Sequence, residues 1–215
     1  MSAAYDMAIV RALRLVILAG LFALTGCSMG TVPISSTATV QDYFFPLQNG
    51  LVYSYSRFET GLNQNIYDTV ACRLVIGQTM ADKNALVDTK TGNVLFFIGF
   101  THDANNNLAA TLSTGDTTLL ALDGVLEDSA TWVADPIHHI RATVIGRYDD
   151  YYLPPNRTVH FSDVVVIQYH RDGDDASVYT LRFFANGHGL IREATFAGGN
   201  TEIGHLQVLG IQYPS

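Results

Sequence analysis

The chain has 215 residues, with 12 Lys+Arg against 20 Asp+Glu and a formal net charge of −8. That acidic balance, without any basic cluster, argues against a nucleic-acid partner and offers nothing to anionic lipid headgroups. Cys27 and Cys72 are the only thiols, too few for a metal site built on paired cysteines.

In chain order, Arg11 and Arg14 precede Leu15–Leu24, an uncharged apolar run of secretory-signal length. A transmembrane helix needs about 20 apolar residues, and nothing in the chain reaches that. The run ends at Leu24-Thr25-Gly26-Cys27. This tetrad resembles the bacterial lipoprotein lipobox. The resemblance implies a diacylglyceryl group on the Cys27 thiol and cleavage before Cys27, so that residues 1–26 are a signal peptide. Met7 would give a more usual signal length than Met1. Stable anchoring takes more than one acyl chain, at about 0.8 kcal/mol per buried methylene, and two or three chains on Cys27 make the anchor effectively permanent. The residue after the cysteine is Ser28, not aspartate. By the same resemblance this favours the outer membrane, with the domain facing the periplasm. With Cys27 acylated, Cys72 has no disulfide partner, and its apolar neighbours in "DTVACRLVI" mark it as an inert core thiol.

Residues 27–42 are small, polar and β-branched and read as a flexible tether. A single β domain is expected over 43–215. "GLVYSYSRFE" alternates with a period of two, and "IYDTVACRLVI" follows a Gly/Asn turn. "NALVDT" and "VLFFIGFT" flank the turn "KTGN", a hairpin signal. "LAATLS", "HIRATVIGRY", "TVHFSDVVVIQYH", "SVYTLRFFA", "GLIREATF" and "EIGHLQVLGIQY" continue the pattern, several of them separated by "RDGDD", "NGHG" and "AGGN". Thr117–Asp128 is the best candidate for one short helix. The fold class predicted is all-β and mostly antiparallel, as a single curved sheet or an open, incomplete barrel. "VLFFIGF" and "DVVVIQY" are more apolar than alternation requires, so they are covered on both faces or line a cavity.

"YFFPLQNGLVYSYSRFE" resembles the opening of many uncharacterised envelope lipoproteins, through Tyr43, Pro46, Leu47, Gly50, Tyr53 and Tyr55. "YTLRFFANGHGLIREATF" is similar to their closing strand pair, through Phe183, Phe184, Gly187, Gly189, Leu190 and Ile191. By analogy these proteins look like distant relatives of the incompletely closed Lol-type barrels that carry lipoproteins to the outer membrane. Fold analogy does not give function. Gly187-His188-Gly189 also has a plain reading as a tight hairpin.

Candidate chemistry is sparse. His138-His139 beside Asp135 offers metal-ligand types but no third ligand, since neighbouring strand residues face opposite ways. "DANNN" from Asp103 and "DGDD" from Asp172 lack the glycine and glutamate of a calcium loop. His160, Ser162 and Asp163 would need one common side of the strand to form a triad, and alternation denies it. No cofactor, metal or catalytic residue is therefore expected. "DDYYLPPN" places Tyr151, Tyr152 and Leu153 before two prolines in a rigid loop outside any regular strand. That loop either meets a partner or a lipid surface, or folds back to plug one end of the barrel. Three roles follow. One is non-enzymatic partner binding through strand edges and the Tyr151–Leu153 loop. Another is carriage of an apolar ligand in a concavity lined by Phe96, Phe97 and residues of "DVVVIQY". The least expected is an enzyme.

Overall fold

The computed structural model describes residues 39–60, 64–77, 84–103, 105–115, 117–124, 126–155, 157–198 and 200–214. The lipobox and Cys27 lie outside them. A one-turn helix, α1 (Val40–Tyr43), opens the described chain. Asp42 closes it as a capping box, accepting from Thr39 N at 2.6 Å and Thr39 Oγ1 at 2.9 Å. Val40 and Asp42, in the stretch read from sequence as tether, are thus part of this turn, and Val40 is buried.

Strands follow in a meander: β1 (Val52–Glu59), β2 (Ile66–Val75), β3 (Asn84–Asp88), β4 (Val94–His102), β5 (Leu108–Thr114) and β6 (Thr117–Leu122). A second meander contains β7 (Thr131–Asp135), β8 (Ile140–Tyr152), β9 (His160–Arg171), β10 (Tyr179–Ala185), β11 (Gly189–Ala197) and β12 (Thr201–Gln212). All twelve form one sheet in the order β6-β5-β4-β3-β2-β1-β12-β11-β10-β9-β8-β7, with antiparallel pairing throughout. The two halves are laddered together through β1 and β12, and the sheet curls until its edges, β6 and β7, face one another. The result is the all-β, incompletely closed barrel expected from the strand pattern.

Thr117–Asp128 is not a helix. Its first half is β6, and a turn follows. Leu-Leu-Ala suits a helix in isolation, but tertiary pairing decides. Thr118 lies opposite Ser113, with their hydroxyls 2.9 Å apart, and Leu119 lies opposite Leu112 in the core.

About eight strands give a barrel that side chains alone can fill. Twelve would leave space, and the segment after α1 takes it up. Phe44 packs edge-on against Phe100 of β4 at 5.5 Å and tilts against Phe184 of β10 at 6.1 Å, so it sits between the two halves. Phe45 meets Tyr53 at 5.4 Å, and Tyr53 stacks on Tyr55. Both tyrosines are fully buried and satisfy their hydroxyls on backbone, Tyr53 donating to His188 O at 2.9 Å and Tyr55 to Leu190 O at 3.1 Å. Burial pushes both phenols well above the ordinary tyrosine range.

Candidate functional site

Each sequence candidate has a definite place. Asp135 is buried and organises the β7–β8 turn. It accepts from Ile137 N and His138 N, both at 2.9 Å, and pairs with His138 Nδ1 at 2.7 Å. Burial opposes its charge, yet these donors outweigh it and hold the carboxyl below its usual range. His139 adopts a positive φ and instead accepts Asp172 N on its carbonyl. Among the described residues no group of three or more His, Cys, Asp or Glu is placed to hold a metal ion. Asp103 folds its own turn by accepting from Asn105 N, Asn107 N and Asn107 Nδ2. His160 stacks on Tyr152, whereas Asp163 accepts from Tyr43 Oη at 2.6 Å and Asn186 Nδ2 at 2.7 Å. The would-be triad therefore has its histidine and its aspartate committed elsewhere. Cys72 lines the interior, its thiol pushed up to about 11 by burial and by the nearby Asp88 carboxylate.

The Tyr151–Leu153 stretch corrects the sequence expectation. Tyr151 and Tyr152 end β8 and are regular strand residues. They do not plug an end of the barrel either. Tyr151 stacks on Phe183 at 4.8 Å, and its hydroxyl accepts from Arg192 Nη1 at 3.2 Å. Phe183 lies on the opposite side of β10 from Phe184, hence on the outer wall. Leu153 is buried, and Gln207 of β12 donates through Nε2 to Pro154 O at 2.5 Å. The tip of the β8–β9 hairpin thus leans across the outside of β10 and β11 as far as β12. This explains why Val164, Val165, Val166 and Ile167 are all buried: that part of β9 is covered on both faces.

Phe96 is a buried core residue of β4, packed with Ile98 and Leu112, whereas Phe97 is half-buried between Ala85 and Ser113 in register. The concavity that "VLFFIGF" and "DVVVIQY" were expected to line is occupied by Phe44, Phe45, Tyr53, Tyr55 and Phe184.

Two features were not visible in the sequence. The first is a cleft of about 420 Å³ at the foot of the β6–β7 edge, lined by Asp103, Asn105, Asp123 and residues 127–132. Burial and the Asp103 carboxylate raise the Asp123 carboxyl above its usual range. The second is a series of exposed apolar side chains spread along β7 and β8. Val133 is 52% exposed, Ile145 49%, Tyr148 48% and Tyr152 49%. Exposed apolar side chains on an edge strand and its neighbour are a usual mark of an interaction surface. Alternation in "TWVAD" and "TVIGRY" carries part of that signal, but nothing in sequence places the edge beside it.

No family model matches the chain, and no curated protein does. Among solved structures, a Bacteroides fragilis protein described as exported, with a YmcC-like fold, is similar at 10% identity. Its TM-score is 0.43, and the match covers 80% of this chain and 99% of that one. A protein from Parabacteroides distasonis described as a lipoprotein is similar at 10% identity and a TM-score of 0.37, over the same shares. At that depth of similarity nothing of what either neighbour does carries over to this chain.

Proposed function

We propose that this chain is a bacterial envelope lipoprotein that acts without catalysis, by binding a partner protein through β7 and β8. The observation that carries the reading is the exposure of Val133, Ile145, Tyr148 and Tyr152 along β7 and β8, the last two strands at one end of the sheet order. Four half-exposed apolar side chains gain by desolvation against a partner, at about 25 cal/mol per Å² of apolar surface. Anchoring rests on Cys27 behind its apolar run, and the outer-membrane periplasmic face rests on Ser28. The occupied interior favours this reading over carriage of an apolar ligand, because a carrier would first have to displace Phe44 and Phe184.

Photo-crosslinking in cells from positions 145 and 148, with Thr69 on β2 as control, tests the surface. A defined adduct from positions 145 and 148 and none from position 69 supports it. No adduct, or the same adducts from all three positions, removes it. Cys27→Ala tests the anchor separately: acyl labelling should vanish and the protein should leave the membrane fraction, and unchanged labelling would sink that half of the proposal.

A further inference from the structure

We propose that the barrel opens sideways along the β6–β7 line, as a built-in conformational device. Every other pair of neighbouring strands is joined by a backbone ladder. Between β6 and β7 the sheet order shows none. Side chains reach across instead. Trp132 of β7 donates Nε1–H to Leu120 O at 2.9 Å, and the Tyr169 hydroxyl of β9 donates to Ala121 O. Two side-chain hydrogen bonds to consecutive carbonyls of β6 therefore stand where other pairs have a ladder. They also satisfy acceptors that an edge strand would otherwise leave free.

Acidic side chains from both halves gather at the foot of this line. Asp103 belongs to the β4–β5 turn and Asp123 to the end of β6, so both move with the first half. Glu127 and Asp128 precede a segment tied to β8, with Ser129 N donating to Val144 O and Val144 N to Ala130 O. They move with the second half. All four carboxylates line one cleft, where Arg147 Nε lies 3.7 Å from Asp128 Oδ1. Residues 123–130 link the halves covalently at this foot, so the opening is widest toward Thr117 and Asp135. It uncovers Leu119, Ala121, Trp132, Ala134 and Tyr169, which are buried when the line is closed.

The device does not depend on the lipid anchor or on the partner. Peptide-resolved amide hydrogen exchange on the purified full-length chain tests it, together with acrylamide quenching of Trp132, the only tryptophan. In the wild type, β6 and β7 should exchange together, faster than β1 and β12, and with little dependence on urea. Tyr169→Phe keeps the ring and removes one of the two bonds. It should raise exchange in β6 and β7 by about fivefold and increase quenching, with β1 and β12 unchanged. Trp132→Phe removes the other bond and should give the same exchange pattern. Three outcomes overturn the proposal: β6 and β7 exchanging only with global unfolding, both variants raising exchange uniformly, or β6 exchanging while Trp132 stays shielded, which is fraying of one edge.

Discussion

Gly189 tests how the interior is filled. Its φ is +82°, and a Cβ built there would lie 2.9 Å from Phe45 Cδ1, 3.0 Å from Phe45 Cα and 3.1 Å from Phe45 Cγ. Phe45 is buried and wedged against Phe44 and Tyr53, so it has no free direction in which to yield. Gly187, two residues away in the same hairpin, has φ +71° and nothing within 4 Å of its built Cβ. The pair separates two effects. An L-residue in the left-handed region costs about 1–2 kcal/mol, and both Gly187→Ala and Gly189→Ala carry that. Forcing a methyl into a packed core adds about 1–3 kcal/mol, and only Gly189→Ala carries that. Gly189→Ala should therefore destabilise by about 2–5 kcal/mol and Gly187→Ala by about 1–2 kcal/mol. Equilibrium urea unfolding, followed by Trp132 fluorescence and far-UV circular dichroism, measures both. Equal losses for the two variants would mean that Phe45 is not wedged over the hairpin, and the account of the filled barrel would fall with it.

Two further perturbations probe the buried charges. Arg182 and Glu193 pair inside the barrel at 2.6 Å, with Arg182 also over the Tyr169 ring at 4.8 Å and its Nη1 without a partner. Glu193→Ala strands that guanidinium and should cost about 2–4 kcal/mol, whereas Arg182→Met with Glu193→Leu should stay within about 2 kcal/mol of wild type or exceed it; thermal unfolding of the single and double variants decides, and equal losses would refute the burial argument. Asp123 has its folded-state carboxyl pKa raised, by burial first and by Asp103 as well, so its ionised form opposes folding at neutral pH. Asp123→Asn should therefore raise the melting temperature at pH 7, and the gain should shrink as pH falls through the raised value and vanish below the ordinary aspartate range. A gain independent of pH would show that charge is not the cause.

The sequence carried most of the strands because each buries one face. Tyr53 and Tyr55 against Ser54 and Ser56 announce β1, and their burial is what the alternation requires. It failed where burial is not local. β6 reads as a helix because Leu119, Leu120 and Ala121 favour one, and only pairing with β5 and the reach of Trp132 and Tyr169 make it a strand. β7 is five residues long, so its alternation is brief. The run Val164–Ile167 has no alternation because the hairpin tip bearing Tyr151 and Leu153 covers its outer face. The cleft was invisible for a related reason: Asp103 comes from one turn, Asp123 from a strand end and Glu127 from the loop beyond, and no spacing rule links them. The exposed apolar residues share this dependence on tertiary context, since only the β7–β8 ladder sets Val133 beside Arg141 and leaves Ile145, Tyr148 and Tyr152 on the part of β8 that runs past β7.

The sheet order also fixes which failures are local and which are global. Ten of the ladders join consecutive strands and form within either six-strand meander, at short sequence separation. The β1–β12 ladder is different. It pairs Val52 with Gln212 and Glu59 with Gly204, closing nearly the whole domain as one loop. Such closure is entropically late and slow. Once made, it is the only ladder between the halves among the described residues, so a break there leaves them held by side chains and the 123–130 link. Parting β6 from β7 leaves it intact. Substitutions along β1–β12 should therefore lower global stability, and substitutions at Trp132 or Tyr169 should act mainly on local opening. A sideways motion must be taken up where the halves join, and there the ladder carries a register shift between Ser54 and Tyr55 opposite Gly210 and Val208. Leu209, the residue skipped by that shift, is half exposed. The bulge is the one irregularity in an otherwise continuous ladder, which makes it the expected pivot of the proposed opening.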